Sequence, residues 1–501
     1  MTRRVRLIRP PDILDAIRDP HLFAPWFKSA DTWSPWCAFL AALFALPMTP
    51  EQFAIYRQCT GRTEQPSSVA VEGWLICGRR AGKSFVLALI AVFLACFYDY
   101  RPYLAPGERG TVLVIATDRK QARVILRYIR ALLTNVAMLT RMLEREAAES
   151  FDLTNRVTIE VGTASFRSVR GYTIVAALCD EMAFWPTDDS AEPDYEILAA
   201  LRPGMATIPN ALLLCASSPY ARRGALWEAH RRHYGKDRDP ILMWQADTRT
   251  MNPTVPQRVI DDATERDPAS AAAEYGAQFR TDVEALLTRD AVEACIAIDV
   301  RERPRMAGAK YAAFVDPSGG SADSMTLAIA HRDRGTAVLD AVRERRPPFS
   351  PEDVVAEFAD LLKGYGVRKI VGDRYAGEWP RERFRVHGVT YEPAAKPKSD
   401  LYRDLLPAIN SRSVDLLDHD RLLNQLVGLE RRTARSGRDS IDHVPGGHDD
   451  VANAVAGVLT SFIKSKGSYD SSLAWVAGED SDADWRRARF NMFVNSGGMI
   501  R

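Results

Sequence analysis

Short apolar runs and longer helical stretches alternate along most of the chain. GWLIC, TVLVIAT, VTIEVG, TIVAALCD and ALLLCAS, all between residues 70 and 220, read as strands. Spaced by helical stretches, they predict a mostly parallel sheet covered by helices. The longest apolar run, Phe85 to Tyr98, is too short to span a bilayer and reads as a buried helix. Residues 1–65 read as helical and are rich in Trp and Pro, whereas 221–285 are polar and helical with few strand signals. RERPRMAG (301–308) has linker composition. A second α/β pattern starts at Lys310. It runs strand (YAAFVD), strand (MTLAIAHRD), strand (TAVLDAVRE), helix (PEDVVAEFADLLKGYG), strand (KIVGD), helix, strand (VTYEPA), and closes with a helix at HDDVANAVAGVL. Beyond it lies a tail rich in Ser, Gly and Asp, expected to be mobile without a partner.

Composition changes this picture little. At 501 residues the chain is too long for one hydrophobic core, so two or three domains are expected. Lys and Arg (66) nearly balance Asp and Glu (65), so a surface for a polyanion would have to be a local patch. The seven Cys form no CxxC pair, which argues against a zinc module or a disulfide framework, and free thiols fit a reducing cytoplasm. The start, MTRRVRLIRPPDILDAIRDP, lacks the apolar core of a secretory signal.

The first chemical constellation follows GWLIC. That strand runs into Gly78, Arg79, Arg80, Ala81, Gly82, Lys83 and Ser84, and then into the apolar helix. A strand, a glycine loop, Lys, Ser and a helix are the parts of a phosphate cradle. Backbone N–H groups and the helix N-terminus face the phosphates, Lys83 neutralises them and the Ser84 hydroxyl takes Mg²⁺. Cys77 stands where the usual pattern has its first Gly. TIVAALCDE then ends a buried strand in Asp180 and Glu181, costly unless something charged sits there. In a phosphate-loop ATPase, Asp180 holds the Mg²⁺ shell and Glu181 polarises the attacking water. ALLLCASSP puts Ser217 and Ser218 at a strand end, where hydroxyls could sense the γ-phosphate; a plain Ser-Ser-Pro turn accounts for them equally. Arg167 and Arg170, in FRSVRGYT, stand ahead of the acidic strand, where a guanidinium could stabilise transition-state charge in its own subunit or a neighbour.

The second constellation is three acids on the later pattern, whose element order matches an RNase H-like or resolvase fold. Asp316 lies on the first strand, Asp373 ends the fourth, and Asp449 with Asp450 opens the closing helix. Hydrolysis of a phosphodiester by two metal ions needs such a carboxylate cluster, and hard Mg²⁺ or Mn²⁺ wants oxygen ligands. Between Asp449 and Asp450 the sequence does not choose. His448 reads as a helix-start residue rather than a ligand. KPKSDLYRD and LERRTARSGRD flank the site and could carry a DNA backbone past it, or form ordinary solvated surface.

With these motifs in order, the chain resembles the large terminases of tailed bacteriophages over roughly residues 45–465. That family's loops lack the first glycine and read like GRRAGKS. The RG ahead of the DE strand, the SSP, the MNP (Met251 to Pro253), the EYGAQF (Glu274 to Phe279) and the GHDD are similar to its patterns. The resemblance implies a helical N-terminal segment (1–65), a P-loop ATPase core (66–220), a lid or linker (221–305), an RNase H-like nuclease (306–465) and a flexible tail (466–501). It implies ATP with Mg²⁺ in the first domain and two divalent ions in the second. Arg170 looks like the arginine finger, with Arg79 an alternative acting in cis, and Gln52 and Gln58 are candidates for the adenine contact. Some relatives carry Glu where this chain has Asp373. The implied partners are double-stranded DNA, the capsid portal protein, a small terminase subunit and other copies in a pentameric ring, in the cytoplasm of an infected bacterial host and without a membrane. Two other classes share parts of this pattern: an RNase H-fold recombinase or transposase, and a helicase-like repair nuclease. The second predicts another RecA-like lobe, for which 221–300 is short and poor in strands.

Overall fold

The apolar runs pair as expected and draw further strands in with them. β1 (Glu72–Cys77), β2 (Gly110–Ala116), β3 (Leu143–Glu146), β4 (Ser150–Leu153), β5 (Val157–Thr163), β6 (Thr173–Asp180), β7 (Leu212–Ser217) and β8 (Ile241–Ala246) form one sheet, in the order β3-β4-β5-β2-β6-β7-β1-β8. Neighbours from β5 to β8 run parallel, and only the β3-β4-β5 edge is antiparallel. This computed structural model describes residues 11–164, 171–185, 192–321, 323–373, 379–433, 439–445 and 447–463. Arg167, Arg170 and the C-terminal tail from 466 lie outside them.

Along β2 successive residues serve opposite layers, the period-two signature of a sheet covered on both faces. Val112 and Val114 pack with the N-terminal helices and the apolar helix Lys83–Phe97. Leu113 and Ile115 pack on the other face, with the helices Pro193–Met205 and Gly224–His233. The helix Lys83–Phe97 is buried without interruption from Val86 to Ala95, as a segment apolar all round must be. Register brings the strand ends together: Asp180 of β6 lies opposite Ala216 of β7, and Ser217 lies opposite Ile76 of β1. Among the described residues no helix is long and apolar enough to cross a membrane.

The later segment contains β9 (Val283–Ala285), β10 (Ile296–Ala297), β11 (Tyr311–Asp316), β12 (Met325–Asp333), β13 (Thr336–Arg345), β14 (Lys369–Gly372), β15 (Thr390–Pro393), β16 (Val414–Leu417), β17 (Leu429–Thr433) and β18 (Asp439–His443). Seven of these make the sheet β10-β16-β13-β12-β11-β14-β15, and β18-β17-β9 make a small one. β11, β12 and β13 form the antiparallel meander, and β14 returns parallel to β11. The protein is therefore an α/β chain with a mostly parallel sheet first and an RNase H-like sheet second. The closing helix Asp450–Thr460 lies against β11 at Gly457, where a Cβ would come within 2.3 Å of the Phe314 ring. Glycine is what lets the helix approach, and the approach brings Asp449 and Asp450 to the strand bearing Asp316.

Candidate active sites

The loop 78–84 is held from outside by groups distant in sequence. Gly78 N–H donates to Ala246 O (3.3 Å) and Arg79 N–H to Glu274 O (2.5 Å), while Thr248 Oγ1 donates to Arg79 O (2.8 Å) and Asn252 Nδ2 to Arg80 O (2.8 Å). Trp36 Nε1 donates to Ala81 O at 3.0 Å from the N-terminal helices. The MNP and EYG motifs thus brace the phosphate loop, through Asn252 and Glu274. Gly78 sits where this bracing is tightest, with room for a Cβ only 2.2 Å from Thr248 Oγ1. Gly82 caps the apolar helix at φ 106°, and the Arg79 guanidinium turns outward to pair with Glu274 at 3.4 Å.

At the loop mouth the predicted groups meet. Lys83 is buried, donates to Cys77 O (2.9 Å) and Gly78 O (3.3 Å), and pairs with Glu181 Oε1 (3.2 Å). Ser84 Oγ donates to Asp180 Oδ2 at 3.0 Å, and Asp180 Oδ1 is buried with no partner. A hydroxyl, a buried carboxylate and an open carboxylate oxygen are oxygen donors that suit Mg²⁺. Burial and then the neighbouring Glu181 charge push the Asp180 carboxyl up. Burial works on Glu181 in the same sense, but Lys83 and the Ser218 amide and hydroxyl outweigh it and hold the carboxyl below its usual range. Glu181 stands at φ 49°, a strained conformation for a non-glycine residue, of the kind found at functional sites.

Ser217 and Ser218 hold this glutamate. Its Oε2 accepts from Ser218 N (3.0 Å), Ser218 Oγ (3.0 Å) and Ser217 Oγ (3.3 Å). Sequence reasoning missed Gln121, whose Nε2 donates to Ser84 Oγ (3.0 Å) and Asp180 Oδ2 (2.9 Å). Gln52 is spent on a capping box with Thr49 at the start of Pro50–Thr60, and Gln58 is exposed.

In the second sheet, Asp316, Asp373, Asp449 and Asp450 line one cleft of about 900 Å³. Asn453, one turn into the closing helix, donates its amide to Asp316 Oδ2 (2.8 Å) and Asp373 Oδ2 (3.2 Å). Asp449 accepts from Lys398 Nζ (3.0 Å) and Tyr402 Oη (2.9 Å), both on Lys398–Asn410. The buried Asp450 Oδ2 has no hydrogen-bond partner, and His448 Nδ1 lies 4.0 Å from it. Burial, and then the charges of Asp450, Asp373 and Asp449, push Asp316 well above the carboxylate range against the pull of Asn453. Burial and the Asp449 charge push Asp450 up to about 6. Carboxylates crowded this way favour a divalent ion, and the open Asp450 oxygen fits one. Lys398, Tyr402 and Asn453 were missed as parts of the site.

Arg435 and Arg438 of the flanking basic stretches lie outside the described residues; among the described ones most charges are paired locally. Lys396 binds Asp404, Arg403 binds Asp400, Arg431 binds Asp439, and Arg432 donates to Glu430 (3.3 Å) and His443 O (3.0 Å). That pairing favours ordinary surface over a free basic track for these described charges.

No protein-family model and no curated protein matches the chain. Solved structures do. The HK97 bacteriophage large terminase is 16% identical, over 83% of this chain and 95% of that one, with a TM-score of 0.36. The large terminase nuclease of thermophilic phage G20c, solved with bound magnesium, is 18% identical over 35% of this chain and 96% of that one, with a TM-score of 0.31. The large terminase of another thermophilic bacteriophage, in complex with ADP, is 11% identical over 78% and 94%, with a TM-score of 0.35. The solved structures to which this chain is similar are thus large terminases of several phages.

Proposed function

We propose that this chain is the large terminase subunit of a tailed bacteriophage, an ATP-driven motor for double-stranded DNA joined to a metal-dependent endonuclease. The observation that carries the reading is the presence in one chain of two clustered centres. One has a phosphate loop whose Ser84 meets Asp180 and whose Lys83 meets Glu181; the other has five carboxylates in one cleft, Asp323 joining the four predicted ones. The division into an ATPase core (66–220, extended to take in β8, which pairs with β1) and a nuclease (306–465, with β10 joining its sheet from upstream) belongs to this proposal, as does the small terminase, portal and ring assembly in the infected cell.

In the first centre Lys83 neutralises the ATP phosphates, Ser84 and Asp180 hold Mg²⁺, and Glu181 orients the attacking water. Arg170 supplies transition-state charge, or Arg79 does so once released from Glu274. Because Ser217 and Ser218 grip Glu181, its position is tied to the end of β7. In the second centre Asp316, Asp373 and Asp450, with Asp449 beside them, hold the divalent ions. The chemistry such ions would supply there is stabilisation of the charge that builds on the phosphodiester oxygens during hydrolysis. The helicase-like alternative wants a second RecA-like lobe. The described part of 221–305 contributes β8 to the first sheet, β9 to the small sheet and β10 to the second, which favours the motor reading.

The test is packaging itself. Portal-bearing procapsids with the purified protein and ATP should protect linear DNA from added nuclease, and Glu181→Ala should abolish that protection. A protein that hydrolyses ATP and cuts DNA yet protects none would sink the packaging assignment.

A further inference from the structure

Within the cleft the acids are not equally free. Asp316 and Asp373 share one neutral amide from Asn453, and Asp450 keeps an open buried oxygen. Asp449 is in direct contact with a full positive charge. Lys398 Nζ lies 3.0 Å from its Oδ2, 3.4 Å from its Oδ1 and 2.8 Å from Asp442 Oδ1. Tyr402, one helical turn further on, closes the remaining approach to Oδ2 at 2.9 Å. The ligand atoms of Asp442, His443 and Asp449 lie within 4.8 Å of one another, the spacing of a cation site, and the cation the chain places against both acids is its own ammonium.

We propose that Lys398 is a tethered cation that a divalent ion must displace from Asp449, so that Lys398 sets how tightly the nuclease centre fills with metal. The inference rests on the metal-dependent nuclease reading above. Like charges do not share a carboxylate at these distances without loss, so metal and ammonium compete for Asp449. The ammonium has somewhere to go. Asp442 already holds it at 2.8 Å, and the start of its helix is tied to β18 by Ile441 N–H donating to Ser399 Oγ at 2.8 Å. Lys398 then stays on the cleft wall, paired with Asp442 alone. A centre built this way holds its last metal weakly, so it fills only when divalent metal is abundant.

The test is Mn²⁺ binding to the full-length protein, stripped of metal and read by electron paramagnetic resonance of free Mn²⁺. Sites lost in Asp316→Asn define the nuclease centre. Against them, Lys398→Met should tighten the weaker site about tenfold, the scale of one unit charge beside a half-buried ligand. Unchanged or weaker binding in folded Lys398→Met overturns the proposal. If Asp316→Asn removes no site, the metal-centre reading beneath it falls instead. A second readout needs no variant: in wild type, saturating Mn²⁺ should raise acylation of Lys398 several-fold by mass spectrometry, and a fall or no change also overturns the idea.

Discussion

Gly78 shows how much a single position in the phosphate loop decides. A methyl group there meets Thr248 Oγ1 at 2.2 Å and Tyr275 O at 2.6 Å, the second being backbone that cannot swing away. Gly78→Ala should cost roughly 1–3 kcal/mol of stability and remove ATP hydrolysis, read by denaturant unfolding and phosphate release. Asp450 gives a pH prediction. Its carboxyl is raised in the folded state to about 6, so folding takes up a proton between the unfolded value near 4 and about 6. Stability is lost as pH rises through that window, and the penalty is complete above it. In EDTA, Asp450→Asn should therefore stabilise the protein by on the order of 2 kcal/mol at pH 8 and by little at pH 4. An equal gain at both pH values would contradict the assignment. The residues legible in the sequence were those whose chemistry is local: Lys83, Ser84, Asp180 and Glu181 announce themselves by spacing. Gln121, Lys398 and Asn453 did not, because a lone polar residue on an amphipathic helix has no signature until the sheet brings it to its partners. Asp449 and Asp450 could not be separated by sequence, since Lys398 and Tyr402, which engage one and leave the other open, come from another helix.

At the scale of elements, all five strands read in the first half are present, as is the meander of the second. β8 was missed because ILMWQA lies among charged helical stretches, and six apolar-rich residues do not tell strand from helix. β17 and β18 were missed because LERRT and DSIDH pair by backbone while carrying mostly polar side chains. Their small sheet matters, because Glu430 on β17 is buried and accepts from Tyr220 Oη (2.5 Å) and Arg223, two and five residues past Ser218. Its Arg partners are about one-third exposed, so Glu430→Ala should destabilise by less than the roughly 3–5 kcal/mol of a fully buried broken pair, about 2 kcal/mol in denaturant unfolding. Gly457→Val should separate the closing helix from Phe314 and cut metal-dependent cleavage while leaving ATP hydrolysis near wild type.

At the scale of the molecule, two candidate centres share one chain. Motif order made both visible in sequence; the bracing of one by Trp36, Thr248, Asn252 and Glu274, and the pairing of the other with Lys398, became visible only in three dimensions. The most direct measurement follows ATP hydrolysis and metal-dependent cleavage of linear plasmid in the same tubes, for wild type, Glu181→Ala and Asp316→Ala. The account predicts that Glu181→Ala loses hydrolysis and keeps cleavage, while Asp316→Ala loses cleavage and keeps hydrolysis. An Asp316→Ala protein that cuts like wild type would contradict the nuclease centre, and with it the claim that this chain both moves and cuts DNA.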